Sequence, residues 1–153
     1  MSCVLDTSAL LKGTETDERG SASLARRIRP HLAETFGLRA PWLAAWEVGN
    51  VIHTKRPSSF GSSRQERQEL VDVILTGIEL DAPSPFHRAR TGRLSEDHGL
   101  TIYDAAYLEL AEREDGVLVT EDHELLEAGR SELGVERSLT VPNAFHHIED
   151  GVL

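Results

Sequence analysis

Val117-Leu118-Val119-Thr120-Glu121-Asp122 is the stretch that decides the fold. Three consecutive apolar residues, two of them β-branched, read as a strand buried on both faces, as in the interior of a parallel sheet. The polar step Thr120-Glu121-Asp122 ends it, and Leu125-Leu126 opens a short helix. The same plan stands at the start of the chain. Cys3-Val4-Leu5 is a strand, Asp6-Thr7-Ser8 a turn, and Ala9-Leu10-Leu11 a helix. Leu38 to Pro41, Ile78 to Asp81 and Leu139 to Val141 supply three further strands. Helices fill the intervals: one through Leu24, Ala25 and Ile28 that carries Arg26, Arg27 and Arg29, one over Trp42 to Ile52, one opened by the capping box Ser63-Arg64-Gln65-Glu66, and one from Phe86 to His98. Such alternation implies a parallel sheet covered on both faces, with right-handed crossovers.

The chain has 153 residues and fits a single domain spanning residues 1–153. Its single cysteine, Cys3, excludes an internal disulfide, so the expected setting is reduced and cytoplasmic. The first residues lack the basic start of a secretion signal, and no apolar run approaches the ~20 residues of a membrane span. The formal net charge of -10 argues against indiscriminate attraction to nucleic acid. A phosphate-rich ligand has to be held locally, by a metal or by arginines such as Arg88, Arg90 and Arg93.

Four acids occupy positions that ask for an explanation. Asp6 follows the first strand and Asp122 the fourth, so both fall at the carboxyl edge of the sheet, where open parallel sheets bind ligands. Asp104 lies in the first turn of an apolar helix that begins after Gly99, with Thr101 as its N-cap and Tyr103, Tyr107, Leu110 and Ala111 on its core-facing side. Glu47 and Asn50 lie one turn apart on the helix Trp42 to Ile52, which is apolar almost all round and is expected to be largely buried. Each acid also has a plainer reading. Asp6 and Asp122 suit N-caps, Thr101 with Asp104 suits a capping box, and Glu47 could meet an arginine from elsewhere.

If the four converge, their chemistry narrows. Clustered carboxylates repel one another unless a cation neutralises them. An all-oxygen site suits Mg²⁺ or Mn²⁺ rather than zinc. Such ions activate water for attack on a phosphodiester.

The pieces Val4-Leu5-Asp6-Thr7-Ser8-Ala9-Leu10, Glu47-Val48-Gly49-Asn50, His98 to Ala111 and Leu118 to Asp122 together resemble a PIN-domain ribonuclease, and most closely the VapC toxins of toxin-antitoxin pairs. The resemblance implies an α/β/α sandwich with a central parallel sheet of four or five strands. It further implies metal-dependent endonucleolytic cleavage of RNA, a homodimer and a cognate antitoxin. It maps the acidic site onto Asp6, Glu47, Asp104 and Asp122, with Thr7, Asn50 and Thr120 in support.

Two other enzyme classes fit poorly. A phosphoacceptor receiver domain would use Asp81 after the third strand, but it wants paired acids after the first strand, where Thr7 follows Asp6. A haloacid-dehalogenase-type phosphatase wants an acid at the position held by Ser8. A non-catalytic RNA-binding or interaction module on the same fold stays open.

Overall fold

The computed structural model describes residues 2–12 and 29–151; Arg26, Arg27 and the helix expected through Leu24, Ala25 and Ile28 lie outside the described residues. The parallel sheet has five strands: β1 (Ser2–Leu5), β2 (Gly37–Pro41), β3 (Glu79–Asp81), β4 (Val117–Val119) and β5 (Ser138–Leu139). Their order is β3-β2-β1-β4-β5, and every neighbouring pair is parallel. The chain builds outward from β1 in one direction through β3, then returns to add β4 and β5 on the other side. The carboxyl ends of β1 and β4 therefore flank the switch point at which such sheets bind ligands.

Side chains alternate across the strands and feed two cores. Cys3 and Leu5 of β1, with Val117 and Val119 of β4, face the first core. The helices α1 (Thr7–Lys12), α2 (residues 29–35), α4 (Arg64–Leu75) and α8 (Val141–Glu149) pack there. Val4, Ala40 and Leu118 face the second core, which is covered by α5 (Pro85–His98), α6 (Ile102–Arg113) and α7 (His123–Leu133). The result is the expected three-layer α/β/α sandwich. Gly116 lets β4 enter beside β1, because a Cβ at that position would lie 2.6 Å from the Ser2 carbonyl oxygen. Burial pushes the Cys3 thiol up to about 12, so the one cysteine is an inert part of the core. Among the described residues no helix is long and apolar enough to cross a membrane.

Local signals in the sequence operate as expected. Ser63 and Glu66 form the capping box of α4, and Gly99 closes α5 in the left-handed conformation at φ 65°. Three expectations need correction. Val141 is not a strand residue; it opens α8, because the Thr140 side chain caps that helix at Asn143. Trp42 to Ile52 is not largely buried: Trp42 is 48% and Trp46 70% exposed. The α-helical part, α3 (Ala44–Asn50), is continued by a π-helical stretch over Val51–Lys55. It crosses the end of the sheet, sending Ala44 to the second core and Val48 and Ile52 to the first, and its other side is left open. Tyr103 is likewise 58% exposed, since burial on α6 begins only at Ala105.

Candidate active site

Asp6 is fixed by the end of β1. Its backbone N–H donates to the Val119 carbonyl at 3.2 Å, which prolongs the β1–β4 ladder by one residue. Its Oδ1 accepts from the Ser8 hydroxyl at 2.7 Å and the Ala9 N–H at 2.9 Å, and its Oδ2 accepts from the Thr120 hydroxyl at 2.7 Å. The capping and site readings thus coexist. Asp6 is buried, and burial pushes its carboxyl up to about 6 despite these three hydrogen bonds; the charge of Asp122 pushes the same way. Thr120 passes the connection on, accepting from the Asp122 N–H at 2.9 Å. Asp122 caps α7 through the Leu125 N–H at 2.8 Å and is itself exposed.

Glu47 arrives from α3. Its Oε1 accepts from the Tyr107 hydroxyl at 2.7 Å and the Thr7 hydroxyl at 3.3 Å, while the two hydroxyls lie 2.8 Å apart. Burial raises the Glu47 carboxyl and the nearby charge of Asp104 adds to this; Tyr107, Thr7 and Lys55 act against it. Burial, then the charge of Glu47, push the Tyr107 phenol far up, so Tyr107 remains a protonated donor. Asp104 sits in the first turn of α6, where its Oδ2 accepts from the Thr101 hydroxyl at 2.6 Å.

The four acids therefore stand as two coupled pairs, Asp6 with Asp122 and Glu47 with Asp104. Thr7, next to Asp6 in the chain, joins them through its bond to Tyr107. Among the described residues none of the four makes an ion pair. Among those residues, too, no group of three or more His, Cys, Asp or Glu side chains is gathered tightly enough to hold a metal ion. The donor chemistry is nevertheless that of a hard-cation site, with oxygen only and negative charge that Lys55 offsets only in part, at Glu47. Asn50 shares the same cleft but is exposed, and no hydrogen bond links it to Glu47.

Two participants were hidden in the sequence. Ser8 reaches both Asp6 and the Glu121 N–H, the latter at 2.9 Å. Tyr107 counts as core by its periodicity and is 1% exposed, yet its hydroxyl is the link to Glu47. The available signal was its residue type: a buried tyrosine brings a hydroxyl that needs a partner.

The arginines divide by role. Arg90 is committed to structure, bound to both carboxylate oxygens of Glu112 at 2.8 and 2.7 Å and to Glu132 at 3.2 Å. Arg113 holds Asp81 at 2.6 Å and the buried Glu109 at 3.1 Å. Asp81, the acid a receiver domain would need free, is thus on an edge strand and already engaged. Arg88 and Arg93 are exposed, and only Arg88 lines the cleft beside Glu47. That cleft, about 670 Å³, runs from Glu47 past Trp42, Trp46 and Tyr103 to Arg113.

The chain is similar to the crystal structure of PAE2754 from Pyrobaculum aerophilum, with a TM-score of 0.71 and 21% sequence identity over 98% of this chain and 96% of that one. At that identity the likeness shows the shared fold. No curated protein matches this chain in sequence. The PIN domain matches residues 3–131, a span that takes in β1 through α7 and all four acids. PIN domains are generally metal-dependent nucleases. With most of its length matched, from the strand that carries Asp6 to the helix that Asp122 caps, this chain belongs to the PIN-domain family.

Proposed function

We propose that the chain is a Mg²⁺- or Mn²⁺-dependent endoribonuclease and the toxin of a type II toxin-antitoxin pair. The observation that supports the nuclease reading is the buried Asp6 carboxylate at the switch point of the sheet, with Asp122 beside it and Glu47 reached through Thr7 and Tyr107, none of them in an ion pair among the described residues. Asp6, Asp104 and Asp122 would hold the ion, and Glu47 would complete or orient the site. A bound divalent ion supplies a lowered pKa for water and neutralises charge at the phosphodiester. The chain's own residues supply the geometry. Ser8, Ala9 and Thr120 hold both Asp6 oxygens in place, while Tyr107 and Thr7 fix one oxygen of Glu47. The resemblance to VapC toxins supports the proposals of a homodimer and of a cognate antitoxin. Carboxylates outside any ion pair among the described residues would in turn pair well with an antitoxin arginine.

Total RNA of the source organism is the substrate for the test. Purified protein is expected to make discrete cuts with Mg²⁺ or Mn²⁺, none with chelator, and none as Asp104→Asn. Folded, antitoxin-free protein that makes no metal-dependent cuts would replace this reading with that of a non-catalytic RNA-binding module.

A further inference from the structure

Glu121 stands between Thr120 and Asp122 and is not one of the four acids of the site. Its side chain reaches the first turn of α8, where Oε1 accepts from the Val141 N–H at 2.7 Å. That N–H needs such a partner. Val141 is buried, and the first N–H groups of a helix find no acceptor within the helix. Pro142 has no N–H to satisfy, and the Asn143 N–H goes to the Thr140 hydroxyl at 3.3 Å. Glu121 therefore completes the cap of α8, and it sets a carboxylate at the helix end that favours one. The backbone of the same residue is held as well. Its N–H donates to the Ser8 hydroxyl at 2.9 Å, and that hydroxyl donates to Asp6 at 2.7 Å. Next to it, the buried Thr120 donates its N–H to the Leu139 carbonyl at 2.9 Å, while its hydroxyl donates to Asp6 and accepts from the Asp122 N–H. One residue thus ties together the turns that follow β1, β4 and β5, the first two of which carry Asp6 and Asp122.

We propose that Glu121 is a positioning residue for the Asp6 and Asp122 pair, and that α8, which lies outside the residues 3–131 matched by the PIN domain, steadies the site through it. The proposal rests on the nuclease reading above for what the pair does; the tie itself belongs to the metal-free chain. Asp122 is exposed, and its side chain reaches back only to the Leu125 N–H, so its place depends on how firmly the step Thr120-Glu121-Asp122 is held. Loops of this kind open locally unless bonds from elsewhere pin them. Glu121 supplies two such bonds, one from its N–H and one from its side chain. A shift of about 1 Å in a group that must meet a metal or a substrate can cost on the order of 100-fold in rate. A residue that only capped α8 would stabilise that helix and leave the two acids where they are.

Amide hydrogen exchange of the full chain in chelator, with calorimetric titration of Mn²⁺ and cleavage kinetics, separates these two roles. Glu121→Ala is expected to speed exchange at the amides of residues 121 and 122 by about tenfold or more, the loss of one hydrogen bond to a carboxylate. It is expected to weaken Mn²⁺ binding by roughly 10- to 100-fold and to lower kcat with KM nearly kept. Glu121→Gln keeps an accepting oxygen and should restore most of each. Val141→Pro removes the donor instead of the acceptor, at a helix position where proline is tolerated. In that background Glu121→Ala should cost nothing further. If folded Glu121→Ala protein binds Mn²⁺ and cuts RNA as the parent does, Glu121 only caps α8 and the proposal is overturned, with the nuclease reading intact. Equal losses in Glu121→Gln and Glu121→Ala would trace the effect to charge rather than to the bond and likewise overturn it. A parent that binds no Mn²⁺ and cuts no RNA, yet whose exchange at residue 122 is governed by Glu121, would uphold the tie and remove the nuclease reading.

Discussion

Asp6→Asn is expected to lower RNA cleavage by about 1,000-fold, the several kcal/mol that a metal-held charge supplies to the transition state, and at the same time to stabilise the metal-free protein. Both effects have one origin. The Asp6 carboxyl is pushed up to about 6 from 3.8, chiefly by burial. The folded chain therefore holds that proton more tightly than the unfolded chain does. Stability falls as pH rises from about 4 to about 6, and above that window the penalty is complete, at about 3 kcal/mol for a shift of this size. Below about pH 4 it is absent. An amide carries no such penalty and can still accept from Ser8 and Ala9. Urea unfolding in chelator should thus show the variant more stable than the parent by up to about 3 kcal/mol near pH 8, with the gap closing near pH 4. A variant that is less stable near pH 8, or that still cuts RNA, contradicts the role given to Asp6. A site that stores destabilisation for function is a common pattern.

The second large effect is expected from Tyr107→Phe. Only a hydroxyl is removed, so the packing of Tyr107 among Leu108, Leu110 and Leu118 in the second core is kept. Glu47 loses its 2.7 Å bond and retains the longer contact to Thr7 at 3.3 Å. Partners that orient a ligating group typically cost about 10- to 100-fold in activity when removed, and a buried bond to a charged group about 1.5–3 kcal/mol in stability. If Tyr107 acts through Glu47, the double variant Tyr107→Phe with Glu47→Gln should cut RNA no more slowly than Glu47→Gln alone. Additive losses would mean that Tyr107 acts by another route.

Much of this arrangement is legible locally. Short apolar runs ending in an acid located β1 and β4, and the caps Ser63, Thr101 and Asp122 announced their helices, because both signals act within a few residues. That Asp6 and Asp122 meet follows from topology, since parallel strands deliver their carboxyl ends to one edge. The misreadings concern partners distant in sequence. Apolar character all round α3 suggested burial, but a helix crossing the end of a sheet buries only the side that carries Ala44, Val48 and Ile52. Nothing near Asp81 or Arg90 states that Arg113, Glu112 and Glu132 will engage them. The link from Tyr107 to Glu47 spans 60 residues and could be anticipated only from the need of a buried phenol for a partner.

The central claim is that Asp6, Glu47, Asp104 and Asp122 serve one cation centre rather than two independent pairs. Calorimetric titration of Mn²⁺ into the parent chain, Asp6→Asn and Asp104→Asn tests it most directly. A single centre predicts that each substitution, one in either pair, abolishes or strongly weakens the same binding event. Binding that survives unchanged in either variant, or no Mn²⁺ binding by the folded parent, would contradict it.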